Sequence, residues 1–283
     1  MNSVIELNNV SKTIDEFELG PLNMAIEPGL ITAVVGSNGA GKSTFIKMLM
    51  NLVKPNNGQI RMLSEDIQNN EHWKDQVAYL PQRFTGYDPY TGKQLKVLIS
   101  NFYPTWDDHL FEEIVEAFDV NLSKKFSKLS QGMQQKLALS LTIARNTDIM
   151  ILDEPTSDMD IPSKQKLMAI LVEWMERGNR SLIFASHQTD EIRKLADTIA
   201  IIQDGQMLGH FEKEELSQAY TQYWITEPLP EEPLPGEKKR KNSRTIITDN
   251  EIELELQLSQ HQLEWSHKEK LDIEEAITLM LTI

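Results

Sequence analysis

The chain has 283 residues and a formal net charge of −15, from 43 acidic against 28 basic side chains. A surface that acidic repels nucleic-acid phosphates over most of its area, so no nucleic-acid partner is expected. With no cysteine the chain has no disulfide or thiol chemistry, and no run approaches the ~20 apolar residues a membrane helix needs. The first residues show no basic stretch followed by an apolar one, so a cytoplasmic location is expected.

Residues 4–7 alternate apolar and polar as a strand does, and Phe17, Leu19, Leu22, Met24 and Ile26 continue the alternation on a second strand. Glu27-Pro28-Gly29 is a turn leading into the apolar run Leu30–Val35, which reads as a buried strand. Next comes Gly36-Ser37-Asn38-Gly39-Ala40-Gly41-Lys42-Ser43-Thr44, which fits the phosphate-loop pattern G-x-x-x-x-G-K-[ST]. Phe45, Met48, Leu49 and Leu52 follow at helical spacing. A triphosphate carries several charges and needs many donors close together. The three glycines let the backbone curl so that its N–H groups converge, and the helix start adds partial positive charge. Lys42 supplies a full charge for the outer phosphates, and the Ser43 hydroxyl can ligate Mg²⁺. The competing reading is a glycine-rich turn between a strand and a helix. It is disfavoured because both flanks agree with the motif.

Val77–Leu80 is a further apolar run, followed by Pro81 and Gln82. Gln82 stands where an α/β sheet presents groups to its ligand, although alone it reads better as a solvated loop residue. From Gln94 to Val120 the pattern is mostly helical. Phe102-Tyr103-Pro104-Thr105-Trp106 enters a helix, and its aromatics read as packing. Lys128–Met133 opens another helix. The run from Asp148 ends in two acids, Asp153 and Glu154, as a central parallel strand reaching a site would. Adjacent buried acids are costly without a cation or a proton to handle. The position suits Asp153 for Mg²⁺ and Glu154 for polarising a water; without the phosphate loop, a pair of helix-start acids would be an equal reading. Ser181–Ala185 repeats the design and His187 follows it, on the same predicted sheet edge as Lys42, Gln82 and Asp153. Contact with a γ-phosphate is the role that edge suggests. Ile199–Ile202 is a last strand of this region.

Residues 227–244 are proline-rich and then basic, at Lys238-Lys239-Arg240-Lys241, and read as a linker. The basic cluster could favour an anionic membrane face, but a solvated linker is the better reading. Ile246–Leu258 alternates as a strand, and Ile273, Ala276, Ile277, Met280 and Leu281 sit at helical spacing. Residues 245–283 therefore form a strand–helix appendage too short to hold a core alone. The expected division is 1–226, 227–244 and 245–283, with a helical insert at about 83–145.

Four separated motifs occur in order: the loop at 36–44, Gln82, Leu129-Ser130-Gln131-Gly132-Met133, and Asp153-Glu154 followed by His187. Together they resemble the nucleotide-binding subunit of an ABC transporter, over about residues 1–220. Phe102–Asp107 and the form of the signature at 129–133 further resemble a bacterial subgroup of ABC-2-type export ATPases, often linked to antibiotic or cell-envelope stress. The resemblance implies an α/β P-loop fold of ABC ATPase type, with a mixed sheet core, an antiparallel N-terminal β region, a helical insert and a small C-terminal α+β appendage. It implies MgATP hydrolysis by a head-to-tail dimer, as homodimer or heterodimer, in which Ser130 and Gly132 of one subunit meet the γ-phosphate bound by the other. Glu154 would be the general base, Gln82 would sense Mg²⁺ and the attacking water, and His187 would contact the γ-phosphate. A separate multi-span permease would anchor the subunit at the inner membrane face. The departures are Gln131 and Met133 in the signature, Asp158 in place of a small residue, and Ile14 where the family often stacks adenine on an aromatic, with Phe17 nearby. Two other readings stay open: a soluble non-transport ABC ATPase, and a weakly hydrolysing half of a heterodimer.

Overall fold

Alternation at the N-terminus does produce strands. In the computed structural model, which describes residues 3–282, β1 (Ile5–Ile14) and β2 (Phe17–Ile26) pair antiparallel, with Ile5 opposite Ile26 and Leu7 opposite Met24. β3 (Ile31–Val35) runs into the glycine loop, and α1 (Lys42–Leu49) leaves it. β4 (Asn57–Met62) returns to pair with β1 and with β5 (Glu65–Asp66), giving an antiparallel sheet of order β2-β1-β4-β5.

β6 (Val77–Leu80) precedes the helical insert, which holds α2 (Gly92–Ser100), α3 (Asp108–Ala117) and α4 (Gln131–Ile143). Each helix start has a side-chain cap: Thr91 with Gln94 in a capping box, Asp107, and Ser130. β7 (Ile149–Asp153), α5 (Ile161–Glu176), β8 (Ser181–Ala185), α6 (Thr189–Leu195), β9 (Thr198–Gln203) and β10 (Gln206–Glu212) follow. The second sheet runs β10-β9-β3-β8-β7-β6, and its five strands from β9 to β6 are parallel. β3, β7 and β8 are buried at every position, which is why they read as unbroken apolar runs. Register aligns their exits: Leu80 faces Leu152, Asp153 faces Ala185, and Ala185 faces Val34. The loops carrying Gly36, Gln82, Glu154 and His187 therefore leave one edge of one sheet.

The segment before α3 has a structural duty beyond packing. Thr105 Oγ1 donates to the Arg145 carbonyl at 2.7 Å, and the Asp107 N–H donates to the Ala144 carbonyl at 2.9 Å. These carbonyls belong to the C-cap of α4 and the residue after it, where the chain leaves the helix. The Arg145 guanidinium stacks over Tyr103 at 4.8 Å and donates to the Tyr79 carbonyl of β6 at 3.3 Å.

The chain divides into two compact units, Met1–His210 and Phe211–Ile283. This differs from the expected boundary at 226. The second unit holds α7 (Lys213–Gln218), β11 (Thr221–Ile225), β12 (Lys239–Asn242), β13 (Thr245–Thr248), α8 (Glu251–Gln260), β14 (Trp265–Lys270) and α9 (Ile273–Met280). Its sheet runs β12-β13-β11-β14, antiparallel throughout, so residues 221–225, counted with the first region from sequence, form β11 inside this sheet. It has a core of its own, including Tyr223, Ile225, Ile246, Leu254 and Leu258. Residues 227–244 are not a free linker. Leu229 and Leu234 are buried in that core, because proline-rich composition limits local conformation without preventing burial of the leucines between. The basic cluster is spent inside the unit: Lys238 pairs with Asp249, Arg240 with Glu237 and Lys241 with Glu275. The strand expected over Ile246–Leu258 ends at Thr248. Asn250 caps a helix by accepting the Glu253 N–H at 3.1 Å, and Leu254 and Leu258, four apart, face the core while Ile252 and Leu256 are exposed. Alternation by two fitted a strand; the cap and the four-residue spacing made it a helix.

Candidate nucleotide site

The loop at 36–44 is built for an anion. Gly41 has φ +111, a left-handed conformation that glycine supplies without strain, and a Cβ there would lie 3.1 Å from Phe17 Cζ. α1 starts with no side-chain cap, leaving its first N–H groups for a ligand. Lys42 Nζ donates to the carbonyls of Gly36 at 2.7 Å and Ser37 at 3.0 Å. Burial pushes the Lys42 ammonium below its usual range, opposed by the charges of Glu154 and Asp153. A buried lysine folded onto its own loop is a cation short of an anion.

Across the loop, the Ser43 hydroxyl donates to Asp153 Oδ1 at 3.2 Å, while Asp153 Oδ2 is buried without a partner. Burial pushes the Asp153 carboxyl up, opposed by the Ser43 hydrogen bond and reinforced by the charge of Glu154. A hydroxyl beside an orphaned carboxylate oxygen is a hard-oxygen donor set that fits Mg²⁺. Among the described residues no group of three or more His, Cys, Asp or Glu is placed for a metal. That does not count against Mg²⁺ on a phosphate, which uses one or two protein oxygens.

Glu154 sits in the left-handed region at φ +53. Its N–H donates to the Ala185 carbonyl at 3.1 Å, and Gln135 Nε2 of α4 donates to the Pro155 carbonyl at 2.8 Å. Its Oε2 lies 2.9 Å from His187 Nδ1, with the glutamate side chain 8% exposed and the histidine 55%. Glu154, Gln82, Phe17, Asn38, Gly39 and Gly41 to Thr44 line one cavity of about 270 Å³. Asp153 reaches it through Ser43, and His187 through Glu154. Ser130 and Gly132 do not join it. Ser130 is exposed and accepts the Met133 N–H at 3.4 Å, while Gly132 lies so near the Asp158 carbonyl that a Cβ would come within 2.6 Å. Sequence reasoning passed over the buried polar group behind Glu154 and His187, namely Thr156, Ser186 and Glu191, with Lys164 and Gln188 beside them. Glu191 looked like an ordinary acid in the first turn of α6.

Fold and site define a P-loop nucleotide-binding protein. Residues 19–157 match the family model described as ABC transporter. A petrobactin import ATP-binding protein of Bacillus anthracis is 31% identical over 206 residues, covering 69% of this chain and 76% of the relative. The ATP-binding protein YtrB of Bacillus subtilis is 28% identical over 218 residues, covering 77% and 75%. A bacitracin transport ATP-binding protein of Enterococcus faecalis is 25% identical over 234 residues, covering 80% and 76%. Among solved structures, an ATP-binding subunit of an ABC transporter superposes with TM-score 0.69 at 22% identity, over 76% of this chain and 92% of that one. A dimeric ATP-binding cassette in a post-hydrolysis state with ADP and Pi superposes with TM-score 0.65 at 21% identity, over 74% and 98%. The chain belongs to the ABC transporter ATP-binding subunits. It is an ATPase that binds ATP and couples its hydrolysis to transport.

Proposed function

We propose that the chain is the ATPase of a bacterial ABC-2-type exporter, working as a head-to-tail dimer on a separate multi-span permease at the inner face of the membrane. The observation that carries the chemistry is the Glu154–His187 pair, 2.9 Å apart at the rim of the cavity that holds Lys42 and Ser43. In this reading the N–H groups of residues 37–44 and Lys42 Nζ take the phosphate oxygens, replacing the lysine's bonds to its own loop. Ser43, Asp153 and Gln82 would hold Mg²⁺, which supplies charge neutralisation on the phosphate oxygens. The Glu154 carboxylate accepts a proton from the attacking water as the water oxygen bonds to the γ-phosphorus. The bond from that phosphorus to the β-bridging oxygen breaks, and ADP leaves. His187 holds the Glu154 carboxylate through Nδ1 and faces the γ-phosphate.

Ser130 and Gly132, at the start of α4 and outside the cavity, suit the closing half of a partner's site. Val97, Leu98 and Phe102 are exposed on the helical insert, Phe102 at 70%, and provide an apolar surface for the permease. Export is supported by the resemblance of Phe102–Asp107 and by the bacitracin-transport relative. The petrobactin-import relative points the other way, so direction is to be measured with the permease in vesicles.

The test is Glu154→Gln. Turnover should fall at least about 100-fold while ATP still binds, and the variant should form an ATP-dependent dimer in size-exclusion chromatography. Full turnover would remove Glu154 as the base. A variant that binds ATP and stays monomeric would point to a different ATPase subunit as partner.

A further inference from the structure

We infer that Glu191 is a positioning residue for hydrolysis: one buried carboxylate that fixes both the strand exit carrying Glu154 and the strand exit carrying His187. Glu191 lies on α6 and is 4% exposed. Its Oε2 accepts from Ser186 Oγ at 2.7 Å, and its Oε1 accepts from Thr156 Oγ1. Ser186 immediately precedes His187, and Thr156 lies two residues beyond Glu154. Both hydroxyl residues are buried, and β7 and β8, which lead to them, are neighbours in register.

The hydrogen bonds have a direction. The Gln188 N–H donates to Ser186 Oγ at 3.0 Å, and Gln188 Nε2 donates to Thr156 Oγ1 at 3.1 Å. Each hydroxyl accepts from Gln188, so its own proton goes to Glu191. Lys164 Nζ donates to Gln188 Oε1 and lies 3.9 Å from Glu191 Oε1. Two donor chains thus end on one carboxylate, with a lysine supplying countercharge. A neutral amide at 191 would meet one of those donors with another donor. A buried ion is expensive to keep in a position that packing alone could fill, so acceptance by charge is the property that matters.

The network also accounts for Glu154's backbone. Left-handed φ at a non-glycine residue persists where the surroundings over-determine it. Here the Ala185 carbonyl, Gln135 and the Glu191 tie hold the residues around it. Loosening that tie frees Glu154 and His187 to separate, which affects the reacting geometry and leaves the phosphate loop untouched.

The inference rests on Glu154 and His187 acting as proposed above. The experiment compares Glu191→Gln, Ser186→Ala and the double variant in full-length protein, with Glu154→Gln alongside. Glu191→Gln should lower kcat about tenfold or more, with KM for ATP within about twofold, read on protein shown to be folded by its thermal transition. Ser186→Ala should give a smaller loss in the same sense, so it carries the test if Glu191→Gln folds poorly. The double variant should be no worse than Glu191→Gln, since both cut the same tie. Unchanged turnover in both single variants, losses that multiply in the double variant, or KM rising in step with the fall in kcat would each overturn the inference. Turnover surviving Glu154→Gln removes the underlying reading instead, whereas turnover lost there and kept in Glu191→Gln removes only this one.

Discussion

Phe17 shows how a single side chain can acquire a role from its place on a strand. It begins β2, lines the phosphate cavity, and its ring lies where a Cβ on Gly41 would touch it. Ile14, at the position where an aromatic is common in the family, does not line that cavity. A ring beside the phosphate loop offers an adenine base a stacking face worth roughly 1–3 kcal/mol. Phe17→Ala is therefore expected to raise KM for ATP about tenfold with kcat nearly held, measured by steady-state hydrolysis; an unchanged KM would show that the base is held elsewhere. Lys42 and Asp153 are the complementary case. Burial disfavours the charge of each, and a triphosphate with its cation relieves both at once. Both lie where the phosphates and their cation would be held.

At the scale of elements, α4 joins both halves of the proposed mechanism. Its start presents Ser130 and Gly132, its second turn holds the Pro155 carbonyl through Gln135, and the carbonyls of Ala144 and Arg145 just past its end are taken by the Asp107 N–H and Thr105. Gly132 is where the helix meets the loop after Glu154. A Cβ would come within 2.6 Å of the Asp158 carbonyl, and since that is backbone, either the helix start or the loop must move. Gly132→Ala is expected to cut turnover about tenfold or more while ATP binding by the isolated subunit persists. Equilibrium binding beside steady-state rates checks this, and a variant with wild-type turnover would count against any tight fit there. The parallel strands and the phosphate loop were legible in the sequence because buried runs and glycine spacing are local signals. Glu191, Gln135 and Arg145 were not. Each acts on a segment distant in sequence, and nothing in its own neighbourhood announces the partner. α8 was misread for a related reason: Ile252, Leu254, Leu256 and Leu258 satisfy a period of two, and it is the Asn250 cap together with the burial of Leu254 and Leu258 that shows the helix.

At the scale of the whole molecule, the two units keep separate apolar cores and use charge differently. In the first, the buried acids Asp153, Glu154 and Glu191 gather at the site and behind it. In the second, partly exposed charges stitch a helix to a sheet. Glu251 on α8 accepts from Thr221 at 2.7 Å, Lys270 at 2.7 Å and Lys268 at 2.9 Å, and Glu255 accepts from Tyr223 at 2.6 Å and Lys268 at 2.7 Å. Hydrogen bonds from Lys270, Thr221 and Lys268 push the Glu251 carboxyl down to about 2, against an ordinary 4.5. A carboxyl depressed in the folded state contributes stability that is complete above its unfolded value and is lost as pH falls through its folded one. The contribution of Glu251 is therefore whole above the 4.5 of the free group and gone near 2. Its partly exposed position keeps the size modest. Glu251→Gln should accordingly melt below wild type at neutral pH, with the gap in Tm narrowing between those two values and closing at the lower. Thermal unfolding of the full chain followed across that range, with hydrogen exchange at α8 to assign the transition to the second unit, checks the sign and the window. A gap that stays constant to the acid end would mean that Glu251 acts through packing.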